Sequence, residues 1–89
     1  MQLSLSWGEQ MKLIRCTVAY SQREWARYLE VSSRTISAWE TGNSLPVARK
    51  HAEIISKLEK INVSEKVIET LRTSFAAEKL KMSPNDYIV

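Results

Sequence analysis

Apolar positions recur along this chain at spacings of three and four, the period of helices buried along one face. Met11, Ile14 and Val18 form the first such set. Ser6 followed by Glu9 fits a capping box, in which the serine oxygen takes a free amide and the glutamate reaches back. The first helix is therefore expected to run from Trp7 through about residue 18. A second box, Ser21 with Glu24, opens a helix over 22–29 that gathers Trp25, Ala26 and Leu29 on one side. The pattern lapses at Glu30-Val31-Ser32 and restarts, with Ser32 as N-cap of a helix over 33–40. Gly42 stands where a left-handed residue would end that helix.

A fourth helix is expected over 46–60, with Pro46 as its first residue. Val47, Ala48, Ala52, Ile54, Ile55, Leu58 and Ile61 spread over about half its circumference, wider than the roughly 100° that one core contact needs. A fifth, over 64–81, carries the narrower stripe Val67, Ile68, Leu71, Phe75 and Met82 before Ser83-Pro84 ends it. "MQLSLS" reads as an extended arm and "NDYIV" as a short tail with an apolar end. No repeat, low-complexity tract or linker interrupts the 89 residues, which suit one small all-α domain with a modest core.

On a helical wheel with Ser33 at zero, Ser37 falls near 40°, Arg34 near 100° and Ala38 near 140°, at about 100° per residue. Ile36 and Trp39 fall on the opposite side. The third helix is thus anchored by Ile36 and Trp39 and offers a face of small polar residues with one arginine. Small side chains permit close approach to a surface, and an arginine fork fits guanine O6 and N7 in the major groove. Serine pairs with several base edges or with phosphate, and Ala38 suits a thymine methyl. An ordinary solvated face would have the same composition. The junction of about three residues between the second and third helices adds helix-turn-helix geometry. Ser21-Gln22 adds free amides at a helix start, where phosphate is attracted.

The run "YSQREWARYLEVSSRTISAWETGNSLP" resembles the Cro/CI-type helix-turn-helix family of phage repressors and their bacterial relatives. The likeness covers about residues 8–60. Ser21-Gln22 heads the second helix, Ala26 lies at the crossing, Val31 sits in the turn and Ile36 is the buried anchor. "WETG" followed by Pro46 closes the unit. The resemblance implies a five-helix, lambda-repressor-like fold: a DNA-binding domain over 7–62, then a C-terminal helix and tail over 63–89 as a dimerisation segment. It makes Ser33, Arg34, Ser37 and Ala38 base-facing. Ser21, Gln22, Thr35, Thr41 and Asn43 become backbone contacts, with Arg49 and Lys50 as additions. Arg15 and Glu40 match a structural ion pair. The family often has glycine where this chain has Glu30, which costs on the order of 1 kcal/mol if φ is positive there.

Charge agrees with this orientation. The net charge is +3, and residues 1–60 carry all of the excess, with nine Lys and Arg against six Glu. One cysteine, Cys16, excludes an intrachain disulfide and a multi-cysteine metal site, and is expected as a small filler. His51, the one histidine, lies within the apolar arc of the fourth helix and reads as packed rather than ligating. Trp7, Trp25 and Trp39 read as core. No nucleophile–base pair, phosphate loop or metal spacing is present, so neither enzyme nor cofactor is expected. No apolar run approaches a membrane span and no signal peptide is visible, which fits a cytoplasmic protein, bacterial or phage-encoded. The expected function is a DNA-binding transcriptional regulator, a homodimeric repressor on a palindromic double-stranded DNA operator. The fourth-helix arc, the fifth-helix stripe and the tail are its candidate dimer surfaces. Rival readings are an antitoxin that grips a toxin through its last helix, and an adaptor that keeps the fold without DNA binding.

Overall fold

The computed structural model describes residues 5–88. Five helices follow in order: α1 (Trp7–Thr17), α2 (Gln22–Leu29), α3 (Ser33–Glu40), α4 (Ala48–Lys60) and α5 (Glu65–Lys79). A 3-10 turn, Pro84–Asp86, precedes the tail. No strand occurs among the described residues, only one isolated parallel bridge between Leu45 and Tyr87. The arm expected over 1–6 falls, for its first four residues, outside the described part.

Serine oxygens begin four of these helices. Ser6 and Ser21 form reciprocal boxes with Glu9 and Glu24, and Ser32 and Ser64 accept from the amides of Thr35 and Val67. α4 starts two residues later than Pro46 would set it. Val47 is its N-cap without a side-chain bond, and Pro46 is buried in the preceding loop.

The first four helices end alike. In each, an amide reaches back five residues across a left-handed residue: Tyr20 to Arg15, Val31 to Ala26, Asn43 to Ala38 and Val63 to Leu58. The left-handed residues are Ala19, Glu30, Gly42 and Asn62. Only Gly42 is free of the Cβ penalty, about 1 kcal/mol or more for the others. Glu30 has φ 61°, so the turn keeps the left-handed shape despite the missing glycine. Its carboxylate meets Lys57 Nζ at 2.9 Å, and that bond holds it below the usual carboxylate range.

One core joins all five helices. Trp7, Met11, Trp25, Leu29, Ile36, Trp39, Leu45, Ile54, Leu58, Ile68 and Leu71 are almost fully withdrawn from water. A chain this short has little apolar surface to spare. The arc of α4 and the stripe of α5, expected as dimer surfaces, are largely consumed by that core: Ile54, Ile55 and Leu58, with Ile68, Leu71 and Phe75, point inward. Ala48 and Ala52 remain outside, as does Val67. Cys16 is exposed rather than a filler.

His51 lies inside the core. Trp7 Nε1 donates to its Nε2 at 3.0 Å, which requires that nitrogen to be unprotonated. Its ring stacks on Phe75 at 3.8 Å and 4°. Burial, and then the charges of Arg72 and Lys79, depress its pKa from 6.5 to about 4. Below pH 6.5 the unfolded chain takes up a proton that the folded chain refuses. Stability should therefore be level above pH 6.5 and fall between 6.5 and 4. The loss is on the order of 2–3 kcal/mol. Denaturant unfolding at pH 7 and pH 4.5 measures it, and His51→Gln should flatten the slope in that window.

Candidate nucleic-acid interface

The position of α3 is fixed by a close crossing and a buried ion pair. Gly8, in the first turn of α1, lies against the carbonyl of Trp39 and the backbone of Glu40. A Cβ at Gly8 would collide with that carbonyl oxygen and stand 3.1 Å from the Trp39 carbonyl carbon. The rings of Trp7 and Trp39 meet edge to face, 5.9 Å between centroids. Glycine thus lets α1 and α3 touch backbone to backbone. Sequence reasoning missed this role. The available signal was a lone glycine in a helical pattern, which marks close approach elsewhere in the chain.

At the end of α3, Glu40 accepts from Arg15 Nε at 2.7 Å and from Arg15 Nη2 at 3.2 Å. Arg15 Nη1 also donates to the Tyr20 carbonyl at 2.9 Å. The fork is bidentate, and its two side chains are 12% and 4% exposed. The hydrogen bond to Glu40 raises the Arg15 pKa against the opposing effect of burial. Gln22 Nε2 joins the same carboxylate at 3.0 Å. One acidic group therefore ties the start of α2, the end of α1 and the end of α3 together. Gln22, expected as a backbone contact, spends a side-chain N–H in this cluster.

The outward face of α3 is accessible. Ser33 and Arg34 are exposed, while Ser37 and Ala38 are half-buried. Thr35 lies on the other side: it is buried, with its hydroxyl 2.9 Å from that of Ser32. Thr41 is exposed and donates back to the carbonyls of Ser37 and Ala38 at 2.9 and 3.2 Å. Asn43 and Arg49 are exposed in and after the loop that follows. Lys50 is buried, its Nζ 3.1 Å from Glu53. Thr35 and Lys50 are thus placed for packing rather than surface contact. The reason is register: each falls on the inward side of its helix.

The start of α2 is less open than Ser21-Gln22 suggests. Ser21 Oγ takes the Glu24 amide at 3.1 Å, and Glu24 takes the Ser21 amide at 2.8 Å. These bonds hold the Glu24 carboxyl below its usual range, so it is ionised at neutral pH. The amides of Gln22 and Arg23 are the ones left without a capping partner.

Together, α2, the turn over 30–32 and α3 make a helix-turn-helix unit inside an all-α domain, with Ser33 and Arg34 of its second helix exposed. No family model matches the chain, and neither a curated protein nor a solved structure matches it. Among the described residues, no group of three or more His, Cys, Asp and Glu side chains could hold a metal ion. No described helix is long and apolar enough to cross a membrane.

Proposed function

We propose that this chain is a sequence-specific DNA-binding transcriptional regulator that inserts α3 into the major groove. The observation that carries the proposal is the support of α3. It is braced by a backbone contact at Gly8 and by the Arg15–Glu40 pair, while Ser33 and Arg34 are exposed and Ser37 and Ala38 half-exposed beside them. A rigid rod with a small polar face and one arginine suits base-edge readout. Arg34 is the base-reading fork, and Ser33, Ser37 and Ala38 permit close approach. Thr41, Asn43, Ser21 and Arg49 contact the phosphates, as do the free amides at the start of α2.

One short helix reads only a few base pairs, so a homodimer acts on a palindromic operator, with half-sites about one helical turn apart. Its contact surface is narrower than the sequence expectation, because most of the α4 arc and the α5 stripe is buried within one chain. Of the α5 stripe's Val67, Ile68, Leu71 and Phe75, Val67 alone is exposed. Three of the five exposed large apolar residues among the described ones, Leu5, Leu13 and Val67, line one groove between α1 and α5. That groove offers a second chain apolar surface to bury. The chain acts as a cytoplasmic repressor without cofactor or catalysis.

Selection of bound duplexes from a random pool tests the reading. It should return a short motif repeated with two-fold symmetry, and affinity for it should fall steeply with salt. Arg34→Ala should cost about 1–3 kcal/mol and relax preference at one base position per half-site. Absence of retardation of any duplex at low salt would leave the adaptor reading in its place.

A further inference from the structure

We infer that residues 83–88 are a positioning strap for the loop between α3 and α4, and so belong to the DNA-reading apparatus; this rests on the function proposed above. Leu45 sits in that loop and is 1% exposed. Both of its backbone groups are taken by the strap. Its N–H donates to the Asp86 carbonyl at 3.0 Å, and its carbonyl accepts from the Ile88 N–H at 2.9 Å. These two bonds bracket Tyr87 in a one-residue parallel pairing. A third bond reaches α3 itself, where Trp39 Nε1 donates to the Ile88 carbonyl at 3.3 Å.

The strap has its own internal bracing. Ser83 donates from its amide and its hydroxyl to Asp86 Oδ2, at 2.9 and 3.0 Å. Tyr87 donates its hydroxyl to the Lys79 carbonyl at 3.4 Å, which ties the strap to the end of α5. It therefore links the last helix to two points of the unit, the final turn of α3 and the loop that follows it.

It meets α3 on the Trp39 side and leaves Ser33 and Arg34 exposed. It braces the reading helix without covering it.

A buried backbone amide and carbonyl need partners, and the strap supplies both for Leu45. Without it, Leu45 must swing toward water to satisfy them. The same loop carries Thr41 and Asn43 and leads directly to Arg49. α3 would keep Gly8 and Glu40 as supports and stay near its place. Loss of the strap should thus displace phosphate contacts while sparing Arg34. Such contacts set affinity for all sequences, and base contacts set preference. Strap variants should bind every duplex more weakly and select an unchanged motif, the reverse of Arg34→Ala.

Two variants test this: a chain ending at Met82, and Ile88→Pro, which lacks the donor to Leu45. Ile88→Val keeps that donor and serves as the rescue control. NMR amide exchange at Leu45 and the Trp39 indole proton should quicken about tenfold or more in both variants, with amides of α2 unchanged. Affinity for the wild-type motif should fall about tenfold, and pool selection by Ile88→Pro should return the same motif. Ile88→Val should match the wild type in both measurements. If the shortened chain unfolds, Ile88→Pro decides alone. Unchanged exchange at Leu45 would overturn the strap itself. Faster exchange with unaltered affinity, or with an altered motif, would overturn its part in DNA reading. Failure of the wild type to bind any duplex sinks the DNA function and this role with it, while the exchange measurement still scores the strap.

Discussion

Gly8→Val is expected to cost about 4 kcal/mol and to leave little folded protein at physiological temperature. The added Cβ would collide with the Trp39 carbonyl oxygen and press on the Glu40 backbone. Neither is a side chain that can rotate aside, so α1 and α3 must separate. Separation would break the Trp7–Trp39 edge contact and strain the Arg15–Glu40 pair further along the same two helices. Gly8→Ala provides a finer measure. Alanine is favoured over glycine in a helix by about 1 kcal/mol, so the crossing has to overcome that gain. A net loss of stability in Gly8→Ala establishes the backbone contact, and a net gain refutes it. Gly42→Ala is the control: its φ of 82° makes alanine strained, yet no atom lies within 4 Å of the new Cβ. It should cost about 1 kcal/mol, well short of the Gly8→Val effect. Thermal melts followed by circular dichroism rank the three.

Glu40→Ala should cost about 3–5 kcal/mol, because it strands a nearly buried guanidinium. Arg15 would keep only its bond to the Tyr20 carbonyl, and Gln22 would lose its acceptor as well. The pair itself adds much less than this figure suggests, since both ions must leave water to form it. Arg15→Met combined with Glu40→Leu should therefore recover most of the lost stability. A double-mutant cycle in denaturant separates these quantities. Additivity of the two single changes would show that the fork carries no coupling. The double variant also bears on function. If it folds well but binds the selected duplex weakly, the pair serves to aim α3 rather than to stabilise the chain.

Local chemistry made much of this architecture readable. Ser6 with Glu9, Ser21 with Glu24, and Ser32 set helix starts through atoms only three residues apart, so the bounds of α2 and α3 follow from the sequence. The exposed face of α3 follows from the period alone, as does the burial of Ile36 and Trp39. Long-range partners are a different matter. Gly8 meets Trp39 and Glu40, His51 accepts from Trp7, and Leu45 pairs with the tail. No local pattern encodes such meetings. The α5 stripe illustrates the ambiguity: apolar spacing identifies a face to be covered, but whether the cover is a second copy or the chain's own α1 is decided by packing. The resemblance puts Thr35 and Lys50 against the DNA backbone, whereas both are buried here, with Ser32 and Glu53 giving their polar groups partners within the fold.

The corners at Ala19, Glu30 and Asn62 have a consequence for the chain before it folds. A glycine hinge wanders over a broad range of conformations in the denatured ensemble, and arresting it is entropically costly. Side chains at these three corners narrow that wandering in advance. Part of the steric penalty in the native form is thus offset by a stiffer starting ensemble, and replacing all three with glycine would stabilise the protein by less than the sum of the relieved clashes.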